Sequence, residues 1–232
     1  MISPALVKII AHLPKGLLRC LSNKLLNGYI KKYANIKVSG KEKLSDFPSP
    51  TLYICNHLSN SDALVLNKVM KEKDLTFVAG VKLSNTPLTN LGVNITKTIP
   101  IKPNSADKDA ISKIIKTLKE GKNILIFPEG TRSRSASLIE AKRGVFLIAK
   151  LSKADIVPVA VTGTENLLPI NKSDMGAEKF NYADVTVTIG DKIGIPEREP
   201  KEEKHTYENR CVTYFMKQIA NLLPDKYKGV YK

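Results

Sequence analysis

Residues 51–66, "TLYICNHLSNSDALVL", pass from one periodicity to another within a few positions. Thr51–Cys55 is a short apolar run rich in strand formers. Asn56–Ser61 is polar, and apolar residues resume after Asp62 in a helical pattern expected to extend from about 62 to 73. A strand that feeds a helix through a tight polar turn is half of a βαβ unit. If such units recur along the chain, the fold is α/β.

They recur on both sides. Upstream, "NIKVSG" reads as a strand, preceded by a helical segment from residue 3 to about 34 that is interrupted near Pro14. Downstream come the strand "LTFVA", a short helix near 82–91 and a strand around 98–102. The following helix has Ser105 as its expected N-cap, Asp107 and Asp109 in the first turn, and Ile111, Ile114, Ile115 and Leu118 as its apolar stripe. Gly121 ends it. "NILIF", a helix over 141–152, "IVPVAV", "DVTVTIG" and an amphipathic helix from about 201 to 222 complete the series. The expected architecture is a single α/β domain: a mostly parallel, mixed sheet flanked by helices, with an N-terminal amphipathic helical segment. The organisation divides into residues 1–34 and 35–232.

In the N-terminal segment Leu17, Leu18, Leu21, Leu25 and Leu26 share a face, and Lys15, Arg19, Lys24, Lys31 and Lys32 supply charge. Two readings stand for it. A basic amphipathic helix can lie in a membrane interface, or the same leucines can dock on the protein's own core.

At 232 residues, with 42% hydrophobic and 25% charged positions, the chain can bury a sizeable core. Its 37 Lys and Arg against 22 Asp and Glu leave a formal +15, which calls for an anionic partner surface. Nucleic acid and anionic lipid both fit that charge. Aromatic residues make up only 6%, Trp is absent, and no zinc-finger or RNP-type pattern is present, which counts against nucleic acid, but charge alone favours neither partner strongly. Cys20, Cys55 and Cys211 form no CxxC pair and read as free thiols of a reducing compartment; Cys55 closes an apolar strand and reads as a buried thiol. No run reaches the roughly 18 apolar residues of a membrane-spanning helix. Lysines interrupt the apolar stretch at the N-terminus, which argues against a signal peptide. No metal-ligand spacing and no cofactor fingerprint is evident.

Two segments carry candidate chemistry, each directly after an apolar strand, and in α/β sheets such segments gather at the carboxyl ends of strands. In the first, His57 and Asp62 lie five positions apart. A neutral imidazole can accept a hydroxyl proton near neutral pH if its tautomer is fixed, and a carboxylate on the other ring nitrogen fixes it. Equally, Asp62 can cap the helix and His57 can fill a turn. In the second, "ILIFPEGTRSRS" (124–135), Pro128 and Gly130 bend the chain and leave Glu129, Thr131 and Arg132 near the tip. A guanidinium presents a rigid fork to two phosphate oxygens, so Arg132 is a candidate phosphate ligand. Arg134 is either a further cation of that site or solvated surface.

Taken together, these segments resemble the 1-acylglycerol-3-phosphate acyltransferase (lysophosphatidate acyltransferase) family. "NHLSNSD" matches its N-H-x4-D motif, "FPEGTRS" its F-P-E-G-T-R motif and "IVPVAVTG" its V-P-V/I strand; "VSGKEKL" and "AKRGVFLIAK" resemble flanking segments. The similarity runs from about residue 36 to 195. It implies an acyltransferase that moves a fatty acyl group from acyl-CoA or acyl-carrier protein, as donor substrate, to the free hydroxyl of lysophosphatidate, giving phosphatidate in phospholipid biosynthesis. By the resemblance, His57 is the general base and Asp62 orients it. Asn56, Glu129, Gly130 and Thr131 belong to the acceptor site, Arg132 holds the acceptor phosphate, and Pro158 lies in the acyl-pocket region. No G-x-S-x-G elbow is present, which favours direct transfer over an acyl-enzyme. The chain departs from the family where an arginine is usual: "GVNITKTIPIKPN" offers Lys97 and Lys102, and Lys102 is the candidate replacement, a point charge rather than a fork. Another lysolipid acceptor (amino-acid-containing or inositol), or a basic lipid-binding protein without turnover, stand as alternatives. The resemblance also implies membrane association at the cytoplasmic face, through an anionic lipid surface, with residues 1–34 as membrane-interface helices and no nucleic-acid partner.

Overall fold

The computed structural model describes residues 15–47, 50–81, 92, 95–102, 105, 107–170 and 178–232. Seven strands form one sheet: β1 (Ala34–Ser39), β2 (Thr51–Cys55), β3 (Thr76–Gly80), β4 (Lys97–Ile101), β5 (Ile124–Ile126), β6 (Asp155–Thr162) and β7 (Ala183–Ile189). Their spatial order is β1-β7-β6-β2-β5-β3-β4. Among the described strand pairs only β6–β7 is antiparallel, so the sheet is mixed and mostly parallel, as the recurring strand–helix units imply. Among the described residues the α-helices are α1 (Lys15–Tyr33), α2 (Asp62–Val69), α3 (Lys108–Lys119), α4 (Gly144–Ser152), α5 (Thr164–Leu167) and α6 (Lys204–Asn221).

Successive side chains of a strand point to opposite faces, and here each face carries its own core. Tyr53, Cys55, Leu125, Val157, Val159 and Val161 pack on one side with α1 and α2. Leu52, Ile54, Ile124, Ile126 and Ile156 pack on the other with Ile114 and Leu118 of α3, Phe146 of α4 and Phe215 of α6. Burying one such side chain contributes about 1.5–3 kcal/mol. All five residues of β2 are buried, which puts this strand at the centre of the molecule.

Three details differ from expectation: the cap of α3, the end of α2 and the start of α4. Helix α3 is capped by Asp107, whose side chain accepts the Ala110 N–H at 3.1 Å; Ser105 instead donates to the Lys102 carbonyl. Both residues suit an N-cap, and only the path of the chain separates them. Helix α2 stops at Val69, with a separate 3-10 turn at Lys71–Lys73, and α4 begins at Gly144 rather than near 141. Helix α1 buries Leu18, Leu26 and Ile30 in the core, so this part of the N-terminal segment docks on the domain, while Leu17 faces outward. The expected helix near 82–91 and the segment before Lys15 lie outside the described residues. Among those described, no helix is long and apolar enough to cross a membrane.

Candidate functional site

Strands β2 and β5 are parallel neighbours, so the segments leaving their carboxyl ends emerge side by side. The first anchor is Asn56. Its buried amide accepts the Val161 N–H and donates to the Val161 carbonyl, each at 2.8 Å. That two-way clasp ties the end of β2 to β6 and fixes where the next residue starts.

The next residue is His57. Its Nδ1 lies 2.7 Å from Asp62 Oδ2, and the same carboxylate oxygen accepts the Leu58 and Ser59 N–H groups at 2.7 and 2.9 Å. Asp62 opens α2 but does not cap it; Ser61 occupies the N-cap position. Its carboxylate turns back on the loop and is fully buried. A carboxylate only accepts, so Nδ1 carries the proton and Nε2 is left with the lone pair. The ring stacks on Phe127, centroids 4.0 Å apart at 14°, which holds its plane.

The segment after β5 folds as its residue types dictate. Pro128 presets one dihedral, Gly130 takes φ +70°, and the Gly130 N–H returns to the Phe127 carbonyl at 3.0 Å. The turn points Glu129 inward. One of its oxygens accepts the His57 N–H at 2.7 Å and the other the Ile139 N–H at 3.0 Å. Burial pushes its carboxyl up to about 7; the two N–H bonds pull it down, and the neighbouring Asp62 carboxylate adds to the rise. The Ser133 N–H donates to the His57 carbonyl at 2.8 Å, a second tie between the segments. The loop that holds Ile139 is strapped in turn by the C-terminal residues: Leu138 N–H donates to Tyr227, Val230 N–H to Leu138, and Ala141 N–H to the Tyr231 hydroxyl.

These segments open on one cleft of about 1170 Å³. His57, Gly130, Thr131, Arg132 and Lys102 line it, together with Lys142 and Arg143. Much of its wall is apolar, with Val78, Ile101, Ile111, Ile114, Phe146 and Ile148 among the lining residues. Arg132 is largely buried and donates from one terminal nitrogen to Glu178 at 2.9 Å.

Several expected site residues stand elsewhere. Asn56 and Glu129 act behind the wall of the cleft, as braces. Pro158 lies in β6 opposite Ile54, with its ring against Gly190, and does not line the cleft. Lys97 pairs with Asp74, whereas Lys102 reaches the cleft. Arg134 is exposed and outside it. Cys55 is fully buried, and burial pushes its thiol well above the ordinary range. Lys142 and Arg143 were within reach of the sequence, as adjacent cations ahead of a helix. Glu178 sits in no motif, and nothing local marks it.

A family model for acyltransferases matches residues 35–162. The chain is 27% identical over 163 residues to a chloroplastic 1-acyl-sn-glycerol-3-phosphate acyltransferase of Arabidopsis thaliana, covering 69% of this chain and 44% of that protein. It is 24% identical over 192 residues to the 1-acyl-sn-glycerol-3-phosphate acyltransferase of Bacillus subtilis, covering 81% of this chain and 89% of the relative. The alignment thus spans less than half of the plant protein and most of the bacterial one. The crystal structure of the 1-acyl-sn-glycerophosphate acyltransferase of Thermotoga maritima shares the fold, with a TM-score of 0.59 at 19% identity over 86% of this chain and 79% of that one.

Proposed function

Since this chain belongs to the 1-acylglycerol-3-phosphate acyltransferase family, we propose that it moves a fatty acyl group from a thioester, acyl-CoA or acyl-carrier protein, to the free hydroxyl of lysophosphatidate, giving phosphatidate. The observation that carries this reading is the 2.7 Å contact of His57 Nδ1 with buried Asp62, on a cleft that Arg132 also lines. His57 Nε2 takes the hydroxyl proton as the oxygen attacks the thioester carbonyl. The tetrahedral intermediate collapses, the C–S bond breaks, and His57 returns the proton to the departing thiolate. Asp62 keeps the proton on Nδ1 and stabilises the imidazolium formed in between.

Arg132 takes the acceptor phosphate, with Lys102 as a second cation where the family has an arginine. Thr131 and Gly130 form the lip of that site, while Asn56 and Glu129 hold the loops. The apolar walls suit a hydrocarbon chain. The formal +15 suits docking on anionic lipid at a cytoplasmic membrane face, close to a lipid acceptor. The lysine in place of an arginine favours a second reading, in which another lysolipid headgroup is the acceptor.

The test is thioester-dependent acylation of a panel of lysolipids by wild type and His57→Ala, with liposome binding measured in parallel. Phosphatidate is the expected main product, and the alanine variant should lose at least roughly 100-fold in kcat. Activity that survives the change would remove His57 as base. Preference for another headgroup would establish the second reading, and liposome binding without any acylation would identify a binding protein.

A further inference from the structure

The segment between α5 and β7 contributes Leu168, Glu178 and Phe180 to the cleft, and of these only Glu178 is charged. Glu178 has a side chain only 1% exposed, and it sits between the two motif segments. One carboxylate oxygen accepts from Arg132 at 2.9 Å, and the Asn60 amide donates to both oxygens at 3.0 and 3.1 Å. We propose that Glu178 is a positioning residue for Arg132, fixing the guanidinium relative to the His57 loop so that the acceptor phosphate and the acceptor hydroxyl are set at one distance.

The geometry distinguishes holding from blocking. A guanidinium has five N–H donors in a fixed fork, and Glu178 takes one of them. A carboxylate that occupied the fork bidentately would compete with a phosphate; a single bond from one terminal nitrogen leaves the remaining donors for a second anion. A freely rotating arginine would have to be ordered by each acceptor that binds, whereas a clamped one is ordered beforehand. Glu178 also repels a phosphate. Against that stand Lys102, Lys142 and Arg143, which line the same cleft and have no carboxylate at ion-pair distance among the described residues. Asn60 makes the clamp more than a surface pair. It lies in the loop between His57 and Asp62, so the Arg132–Glu178–Asn60 chain joins the phosphate site to the base.

This inference rests on the reading of Arg132 as the phosphate ligand, and the experiment separates the two. The quantity read is the ratio of kcat/KM for lysophosphatidate to kcat/KM for the phosphate-free acceptor 1-monoacylglycerol, with the thioester donor saturating. Glu178→Gln keeps the shape and removes the charge; it should lower the ratio roughly 10-fold, mainly through KM for lysophosphatidate. Asn60→Ala, which frees the other side of the carboxylate, should lower it in the same direction and serves if Glu178→Gln folds poorly. In an Arg132→Ala background Glu178→Gln should change the ratio no further. A ratio that rises shows that the carboxylate repels rather than holds, and a loss shared equally by both acceptors shows a general structural role; either overturns the proposal. If Arg132→Ala lowers the ratio and Glu178→Gln does not, only the positioning role falls. If Arg132→Ala leaves it unchanged, or the wild type does not acylate lysophosphatidate, the phosphate reading falls and this one with it.

Discussion

Glu129 accepts the backbone N–H of His57 at 2.7 Å, so the residue that follows β2 is held in place by a side chain that follows β5. The bond is made to the main chain, which leaves the imidazole free for Asp62. Position and tautomer are thereby set separately: one carboxylate fixes where the ring sits, the other fixes which nitrogen carries the proton. Each half of the arrangement makes its own prediction.

Asp62→Asn should preserve the loop and lose the chemistry. An asparagine oxygen can still accept the Leu58 and Ser59 N–H groups, but its amide no longer stabilises an imidazolium and can stabilise the wrong tautomer. The expected outcome is a fall in kcat of roughly 10³-fold or more, with thermal stability close to wild type. Steady-state acyl transfer and a melting curve measure both. Retained kcat would show that His57 needs no carboxylate partner.

Glu129 gives a pH dependence of stability. Its carboxyl is raised from an ordinary 4.5 to about 7, chiefly by burial, so the folded state holds the proton more tightly than the unfolded chain. The resulting stabilisation is complete below about 4.5 and is lost as pH rises through about 7. Glu129→Gln has no such proton to lose. The Tm of wild type relative to Glu129→Gln should therefore fall across that window and level off above it. A difference that stays constant with pH would place the titration of this carboxyl elsewhere.

Gly229→Ala tests the C-terminal strap. Gly229 has φ +52°, and a Cβ there would lie 2.0 Å from the Leu138 carbonyl oxygen, so the tail must lift away from the loop that carries Ile139. We expect a stability loss of about 1–3 kcal/mol, with a lowered kcat because Glu129 loses the firm position of one of its two donors. Denaturant melts and acyl-transfer rates read the two effects. Unchanged kcat at a lowered stability would mean that the strap supports the fold and not the site.

Legibility followed sequence distance. His57 and Asp62 are five residues apart across a strand–turn–helix, so spacing allowed their contact but equally allowed a helix cap and a turn histidine; the structure shows the contact, with Ser61 at the N-cap. The sheet was readable for a related reason: buried strands such as Thr51–Cys55 declare themselves by apolar runs, and recurring helices between them force mostly parallel pairing. Glu178 is 46 residues from Arg132 and 118 from Asn60, and no local pattern marks a charged residue that will be buried by its partners. The place of Glu129 was half readable. The turn around Gly130 put it near the site, but whether its carboxylate faces the cleft or the loops behind depends on Ile139, which follows in an irregular stretch. Pro158 shows the converse: a recognisable strand pattern fixed its strand and said nothing about which wall of the molecule it would join.

The stacking of His57 on Phe127 also gives the protein a built-in magnetic reporter. A proton held over the face of an aromatic ring is shielded by its ring current, so the carbon-bound protons of this imidazole should resonate upfield of those of the exposed His205. The chain has only three histidines, His12 among them, and a His57→Ala spectrum assigns the signal. The state of this ring is then visible by NMR in the resting protein and after a candidate thioester donor is added, without a label on either.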